Sequence, residues 1–334
     1  MAALRAAQNI VNVLLIMLSR RQLRIKVMEA LYAYHSQDTP DKEAQYEELT
    51  SVFTHILDLY YNQLALLVAL RAALGRTLDK GKLKQIPTEE DINPNMRFVN
   101  NAILMSLQKD KQFKALLEKK KIKWGDVDLI AKTVRAIKQS HEYSEYLALD
   151  EGSFEADRKY LKQIFKRRVM ENELLDNYYS EGNLYWAANI DIANRLVLDT
   201  IDDYKRSSVS SNKPLSHVIT QLLTKDEKTF VQRLFELTIK HDLEFEKQIA
   251  DKAKNWETDR MAVMDTILMK MAICEILEFP VIPIKVSMNE YIEISKNYSA
   301  EDSKGFINGV LDNIVSDLKK ENKIKKKGKG LIES

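Results

Sequence analysis

Apolar residues recur at three- and four-residue intervals along most of the chain, which predicts helices from end to end. Ser19 is placed to cap the first, from about Arg20 to Tyr34, with Leu23, Val27, Ala30, Leu31 and Tyr34 on its apolar stripe. After the polar break around Pro40, a longer helix is predicted from about Tyr46 to Leu78, and its run LALLVALRAAL reads as buried. Farther on, a helix from Asp259 to Leu277 sets Met261, Met264, Ile267, Leu268, Met271 and Ala272 on one face, where methionine serves as soft core. Pro280 and Pro283 end it, Ser287 and Glu290 have the spacing of a capping box for the next helix, and Ser299 and Asp302 repeat that spacing before the last.

The last helix, within DSKGFINGVLDNI, poses a question. Ile307, Val310, Leu311, Ile314, Val315 and Leu318 form its stripe with Phe306 at the edge, while Gly305 and Gly309 lie on the other side. An interior glycine costs about 1 kcal/mol relative to alanine. Something is therefore expected to approach that backbone, either a neighbouring helix or an anionic ligand near the helix start.

The middle of the chain repeats itself. A shift of 70 positions sets Tyr160 on Phe230, Leu161 on Val231, Ile164 on Leu234, Phe165 on Phe235, Trp186 on Trp256 and Leu198 on Leu268. A copy 62 residues upstream sets Phe98, Ile103, Leu107, Phe113 and Trp124 on Tyr160, Phe165, Val169, Leu175 and Trp186. Each unit reads as helix, short helix, Trp, helix, and Trp124 and Trp186 are expected to be buried as Trp256 is in its own unit.

Composition agrees with an all-α protein: of 334 residues only 9 are Gly and 6 Pro, and 45% are hydrophobic, enough for a sizeable core. Cys274 is the only cysteine, so no disulfide framework exists and a reducing compartment is expected. The five histidines lack metal-ligand spacing, the only G-x-G is Gly328-Lys329-Gly330 in a lysine tail, and no nucleophile, base and orienter stand together. Neither an enzyme nor a cofactor is expected. Residues 1–17 carry an apolar run too short to span a membrane, interrupted by Asn12 and followed by LSRR; they read as a non-native or disordered extension before a start at Met17. A cytoplasmic protein with no membrane association is expected.

Net charge is only +2, but it is unevenly spread. Arg20, Arg21, Arg24 and Lys26 stand against Glu29 near one end, and residues 318–330 hold seven lysines against Glu321. Two basic ends flank an acidic middle. That pattern suits a polyanionic partner, although a lysine-rich tail is often a solvated end.

Two segments then point to a family. NWETDRMAVMDTILMKMAICEILEFPVIPIKVSMNEYIEISKNYSAEDSKGFINGVLDNI resembles the carboxy-terminal half of the transcription antitermination factor NusB family: N-W, an Arg, I-L-x-x-A-x-x-E-[IL], I-P-x-x-V-x-x-N-E, an S-K pair, then S-x-x-F-[VI]-N-G-V-L-D. SRRQLRIKVMEALYAY resembles its R-R-x-x-R…A-L-Y opening. The likeness covers residues 18–35 and about 225–318, a third of the chain. It implies a NusB-like helical bundle with an additional helical lobe: 18–35 as first helix, 36–215 as an insertion carrying the repeat units, 216–318 as the core and 319–334 as a basic tail.

The resemblance further implies a non-catalytic factor that binds boxA-type single-stranded RNA with a small-subunit ribosomal protein, NusE in this role, and supports RNA polymerase elongation through ribosomal RNA operons. RNA contacts carried over are Arg20, Arg21, Arg24 and Tyr32 on the first helix and Asp302, Ser303, Lys304, Phe306 and Asn308 at the last. Gly305 departs from the family, which often has a basic residue there. The partner face implicates Asp265 and Arg260. Two other readings are the RNA-binding module of an RNA cytosine methyltransferase, for which residues 36–215 offer no catalytic cysteine, and a helical protein-interaction scaffold.

Overall fold

A computed structural model describes residues 18–205, 217–253 and 262–332. Its helices are α1 (Arg20–His35), α2 (Lys42–Gly81), α3 (Ala102–Lys109), α4 (Lys111–Lys120), α5 (Val127–Lys138), α6 (His141–Leu147), α7 (Phe154–Ile164), α8 (Glu173–Gly182), α9 (Ile190–Asp203), α10 (Lys225–Lys240), α11 (Asp242–Ala253), α12 (Val263–Glu278), α13 (Ile284–Tyr298) and α14 (Ser303–Lys320). No strand occurs among the described residues, and no helix there is long and apolar enough to cross a membrane. The described residues divide into a core unit, within 18–51 and 223–332, and an inserted unit, within 52–222. The division therefore falls inside α2, later than the boundary expected after residue 35.

The core unit is built around α12. Every residue from Ile267 to Ile276 is buried, so this helix is enclosed on all sides by α1, α10, α11, α13 and α14 rather than buried on one face. Met264 is half-buried, while Met261 and Asp259 lie outside the described residues. Three charged side chains on α12 are buried with it. Lys270 donates to Asp242 (2.7 Å) and Glu246 (2.9 Å) of α11. Asp265 accepts from Ser299 and from Ser303 (2.6 Å), which fastens the end of α13 and the start of α14 to it. Glu275 is taken up below. Cys274 is buried beside them, and burial pushes its thiol up to about 12.

Ser19 and Gln22 form a reciprocal capping box at the start of α1, and Leu23, Val27 and Leu31 are fully buried beneath it. The two later S-x-x-[DE] spacings are not caps. Helix α13 starts at Ile284, so Ser287 already lies within it, buried and donating to Glu275 (2.7 Å). Asp302 precedes α14 without a side-chain cap, and Ser299 serves Asp265 instead. In both places a buried carboxylate from another helix takes the hydroxyl that local spacing would have given to the backbone.

The repeat is visible as matched elements: α4 and α5 correspond to α8 and α9 in the inserted unit and to α11 and α12 in the core unit, while α3 corresponds to the π-helical stretch Phe165–Met170 that continues α7 and to the last turns of α10. Phe98, Tyr160 and Phe230 are all buried, as are Ile103, Phe165 and Phe235. Asp110 and Asn172 each cap the second helix of their copy by accepting from two backbone N–H groups, and Asp242 opens the equivalent helix of the third. The tryptophans depart from expectation. Trp124 and Trp186 are only half-buried, their rings 6.2 and 6.1 Å from that of the fully buried Tyr179, so they clasp one tyrosine rather than lock separate cores. Trp256 lies outside the described residues.

The lysine tail is docked in the core unit. Lys327 N–H donates to Pro280 O (2.9 Å) and Lys326 Nζ to Phe279 O (3.1 Å). Gly328 has φ +54°, and a Cβ on Gly330 would lie 1.9 Å from Pro280 O. Both glycines of the G-K-G stretch are therefore required by the backbone path. Gly330→Ala is expected to undock the tail, seen as faster limited proteolysis after α14 with the helix content of the core unchanged. Burial lowers Lys326 from its ordinary value to about 8. The unfolded chain then binds more protons than the folded one between about pH 8 and 10.5, so docking strengthens as pH rises through that window. The excess thermal stability of Lys326→Met over wild type should accordingly be largest below pH 8 and narrow toward pH 10.5.

Candidate nucleic-acid interface

Three arginines enter the first turns of α1, and they have different fates. Arg24 is 2% exposed: its Nε and one terminal nitrogen each lie 2.8 Å from the carboxylate of Glu275, which is wholly buried. Glu275 also accepts from Ser287 and from the Tyr291 hydroxyl (3.1 Å), so all of its acceptor capacity is used. Burial works against the charged guanidinium, but the hydrogen bonds and charge of Glu275 outweigh it and hold Arg24 above its ordinary pKa. Arg24 is thus a strut joining α1, α12 and α13, and it is withdrawn from the expected RNA contacts.

Arg21 is half-exposed and meets Glu290 of α13 through two hydrogen bonds, at 3.0 and 2.8 Å. Arg20 is exposed, with its guanidinium 4.5 Å from the centre of the Phe230 ring. Tyr32, three turns along, is 46% exposed.

At the start of α14 the expected residues also separate. Ser303 is buried on Asp265, whereas Asp302, Lys304 and Asn308 are exposed and Phe306 is half-buried. Asn308 donates to Asp312 (3.0 Å). A Cβ on Gly305 would meet nothing within 4 Å, so no neighbouring helix requires that glycine. It lines instead an open groove of about 850 Å³ with Lys304, Asn308, Asn289, Ile292 and Glu293. Asp265, expected on the partner face, is buried and holds two serines; Arg260 lies outside the described residues.

Helix α13 packs against both α1 and α14 and contributes acids that the sequence motifs do not mark. The Glu293 carboxyl is held below its ordinary range, first by its hydrogen bond to Lys296 and then by the charges of Arg21 and Lys304. The Arg21 guanidinium, by donating to Glu290, lowers that carboxyl in the same way. The basic groups of α1 and α14 are thereby gathered around α13 with carboxylates between them.

On the other flank of α1, Arg20 and Arg21 border a groove of about 1020 Å³ floored by Phe230, Phe279 and Pro283, with Arg233 and the tail residue Lys329 on its walls. Arg233 lies 5.2 Å from the Phe279 ring centre. No group of His, Cys, Asp and Glu fit to hold a metal occurs among the described residues.

A family model described as the NusB family matches residues 191–316, from the start of α9 through most of α14. The transcription antitermination protein NusB of Salinibacter ruber is 37% identical over 142 residues, 42% of this chain and 89% of that protein. The chain belongs to the NusB family. Proteins of the same name from Chloroherpeton thalassium and Geotalea daltonii are 38% identical over 116 residues and 40% over 90, covering 54% and 62% of their own lengths and 35% and 27% of this chain. No solved structure matches. The matched region of this NusB family member leaves outside it α1, the part of the inserted unit before residue 191, and the docked tail beyond residue 316.

The Arg24 and Glu275 pair sets a test of this geometry. Removing one partner leaves the other charge buried and uncompensated, which costs about 3–5 kcal/mol, whereas an exposed pair is worth about 1 kcal/mol or less. Glu275→Ala should therefore shift the urea transition of the core unit far more than Glu290→Ala. Equal shifts would mean that Glu275 is not the strut described.

Proposed function

We propose that this protein is a non-enzymatic transcription antitermination factor that binds boxA-type nascent RNA together with the small-subunit ribosomal protein NusE and supports RNA polymerase elongation through ribosomal RNA operons. The observation that carries this reading is the gathering of Arg20, Arg21 and Lys304 in one unit, on helices held together through α13, in a chain of the NusB family. Phosphates would be met by Arg20, Arg21 and Lys304, and the exposed Tyr32 offers a ring for a base. The open groove at Gly305 lets a strand lie against the start of α14, with Asp302, Asn308 and the edge of Phe306 available to bases. Ser303 and Asp265 act as positioning residues, since they fix the start of α14 without facing solvent. NusE is assigned to the surface around the start of α12, where Val263 is 56% exposed, together with Arg260.

Arg20→Ala with Arg21→Ala should weaken binding of boxA-like RNA and flatten the plot of log affinity against log salt by about 0.7 for each phosphate left without its cation. Adding purified NusE should raise RNA affinity, and Val263→Glu should reduce that gain. A folded double arginine variant with wild-type affinity and slope would remove α1 from the interface.

A further inference from the structure

The inserted unit carries a basic groove to which the reading above gives no role. The last turns of α2 and the length of α5 line a cavity of about 640 Å³. Its apolar side is made by Trp124, Val127 and Ala131, and Val127 is 75% exposed. Arg76 and Lys80 stand four residues apart on α2, and Arg135 and Lys138 three apart on α5. That spacing places each pair on one side of its helix with Cβ atoms about 5–6 Å apart. All four are exposed, and no carboxylate lines the groove.

None of the four forms a salt bridge among the described residues. Other cations of the same unit do find partners: Lys120 pairs with Asp58, Lys162 with Asp202, Arg168 with Glu142 and Arg195 with Asp199. The nearby acids are engaged elsewhere: Asp126 caps α5 by accepting from Leu129 N–H, and Asp79 lies against Lys82. Lys80 and Lys138 also suit the carbonyl-rich ends of their helices. That does not account for Arg76, which sits before the last turn of α2, and Arg135, in the last turn of α5 with Lys138, adds to the same unneutralised field. The indole of Trp124 is fixed, donating Nε1–H to Asn62 O (2.8 Å) with its ring 4.9 Å from that of Tyr178. The groove thus joins an immobilised aromatic and an exposed apolar strip to four cations without counter-charges.

We propose that this groove is a second binding site for single-stranded RNA, taking phosphates on the Arg76, Lys80, Arg135 and Lys138 side chains and a base against Trp124 and Val127. Unpaired cations favour a polyanion, and the apolar strip favours one with exposed planar bases over a purely anionic chain. The site stands on its own residues and does not depend on the α1 contacts.

The test uses the full chain, a labelled oligouridylate and two variants, Arg76→Glu with Arg135→Glu and Arg20→Glu with Arg21→Glu. The groove variant is expected to lose about tenfold or more in affinity at low salt and to flatten the salt plot by about 1.4, the value for two single-strand phosphate contacts. Arg76→Lys with Arg135→Lys should keep the slope, and a 4-thiouridine strand should cross-link to the peptide holding Trp124. Loss in the α1 variant alone, with the groove variant folded and at wild-type affinity and slope, leaves the proposed function standing and overturns this site. Loss in the groove variant alone does the reverse. Unchanged RNA binding with lost binding of a labelled polyglutamate peptide would assign the groove to an acidic protein and also overturn the proposal.

Discussion

A carboxylate with no solvent around it governs the core unit. Glu275 sits on a helix enclosed on every side, and its charge is tolerable only because Arg24, Ser287 and Tyr291 converge on it from α1 and α13. The same condition applies twice more along α12. Lys270 requires the acids of α11, and Asp265 requires the serines that end α13 and begin α14. A central helix with three buried charges therefore dictates the position of four neighbours, in a way that apolar contact alone, being non-directional, would not. The α1 arginines and Lys304 stand where they do because these ties hold their helices.

The resulting surface is moderated rather than uniformly basic. Arg21 shares its charge with Glu290, and Glu293 lies within the field of both Arg21 and Lys304. A strand of nucleic acid meeting this face has to compete with resident carboxylates for the guanidinium of Arg21. Under the proposed function, such competition would lower non-specific affinity for any polyanion and leave more of the recognition to the bases.

Much of the fold is legible in the chain: the limits of α1 follow from Ser19 and its stripe, the stripe of α14 is buried from Ile307 to Leu318, and the three repeat units fall on matched helices. The site is less legible. Arg20, Arg21 and Arg24 belong to one motif and look alike in sequence, yet Arg24 points to a partner 251 positions away that no local pattern marks. The serines of the two S-x-x-[DE] spacings mislead for the same reason, since a distant carboxylate outcompetes the backbone for their hydroxyls. Asp265 has an ordinary helix-start position, and only enclosure by neighbouring elements turns it from a surface charge into a bolt. The four-cation groove is invisible to a charge-run reading because Arg76 and Lys80 are separated from Arg135 and Lys138 by more than fifty residues.

The buried thiol of α12 has a practical consequence. Cys274 is the only cysteine of the protein, and with its pKa pushed up to about 12 it is almost entirely the unreactive thiol at neutral pH. Maleimide reagents should pass over it in the native state. A single cysteine introduced on either unit can then carry a fluorophore or spin label alone, so its surroundings can be followed by spectroscopy without first removing Cys274.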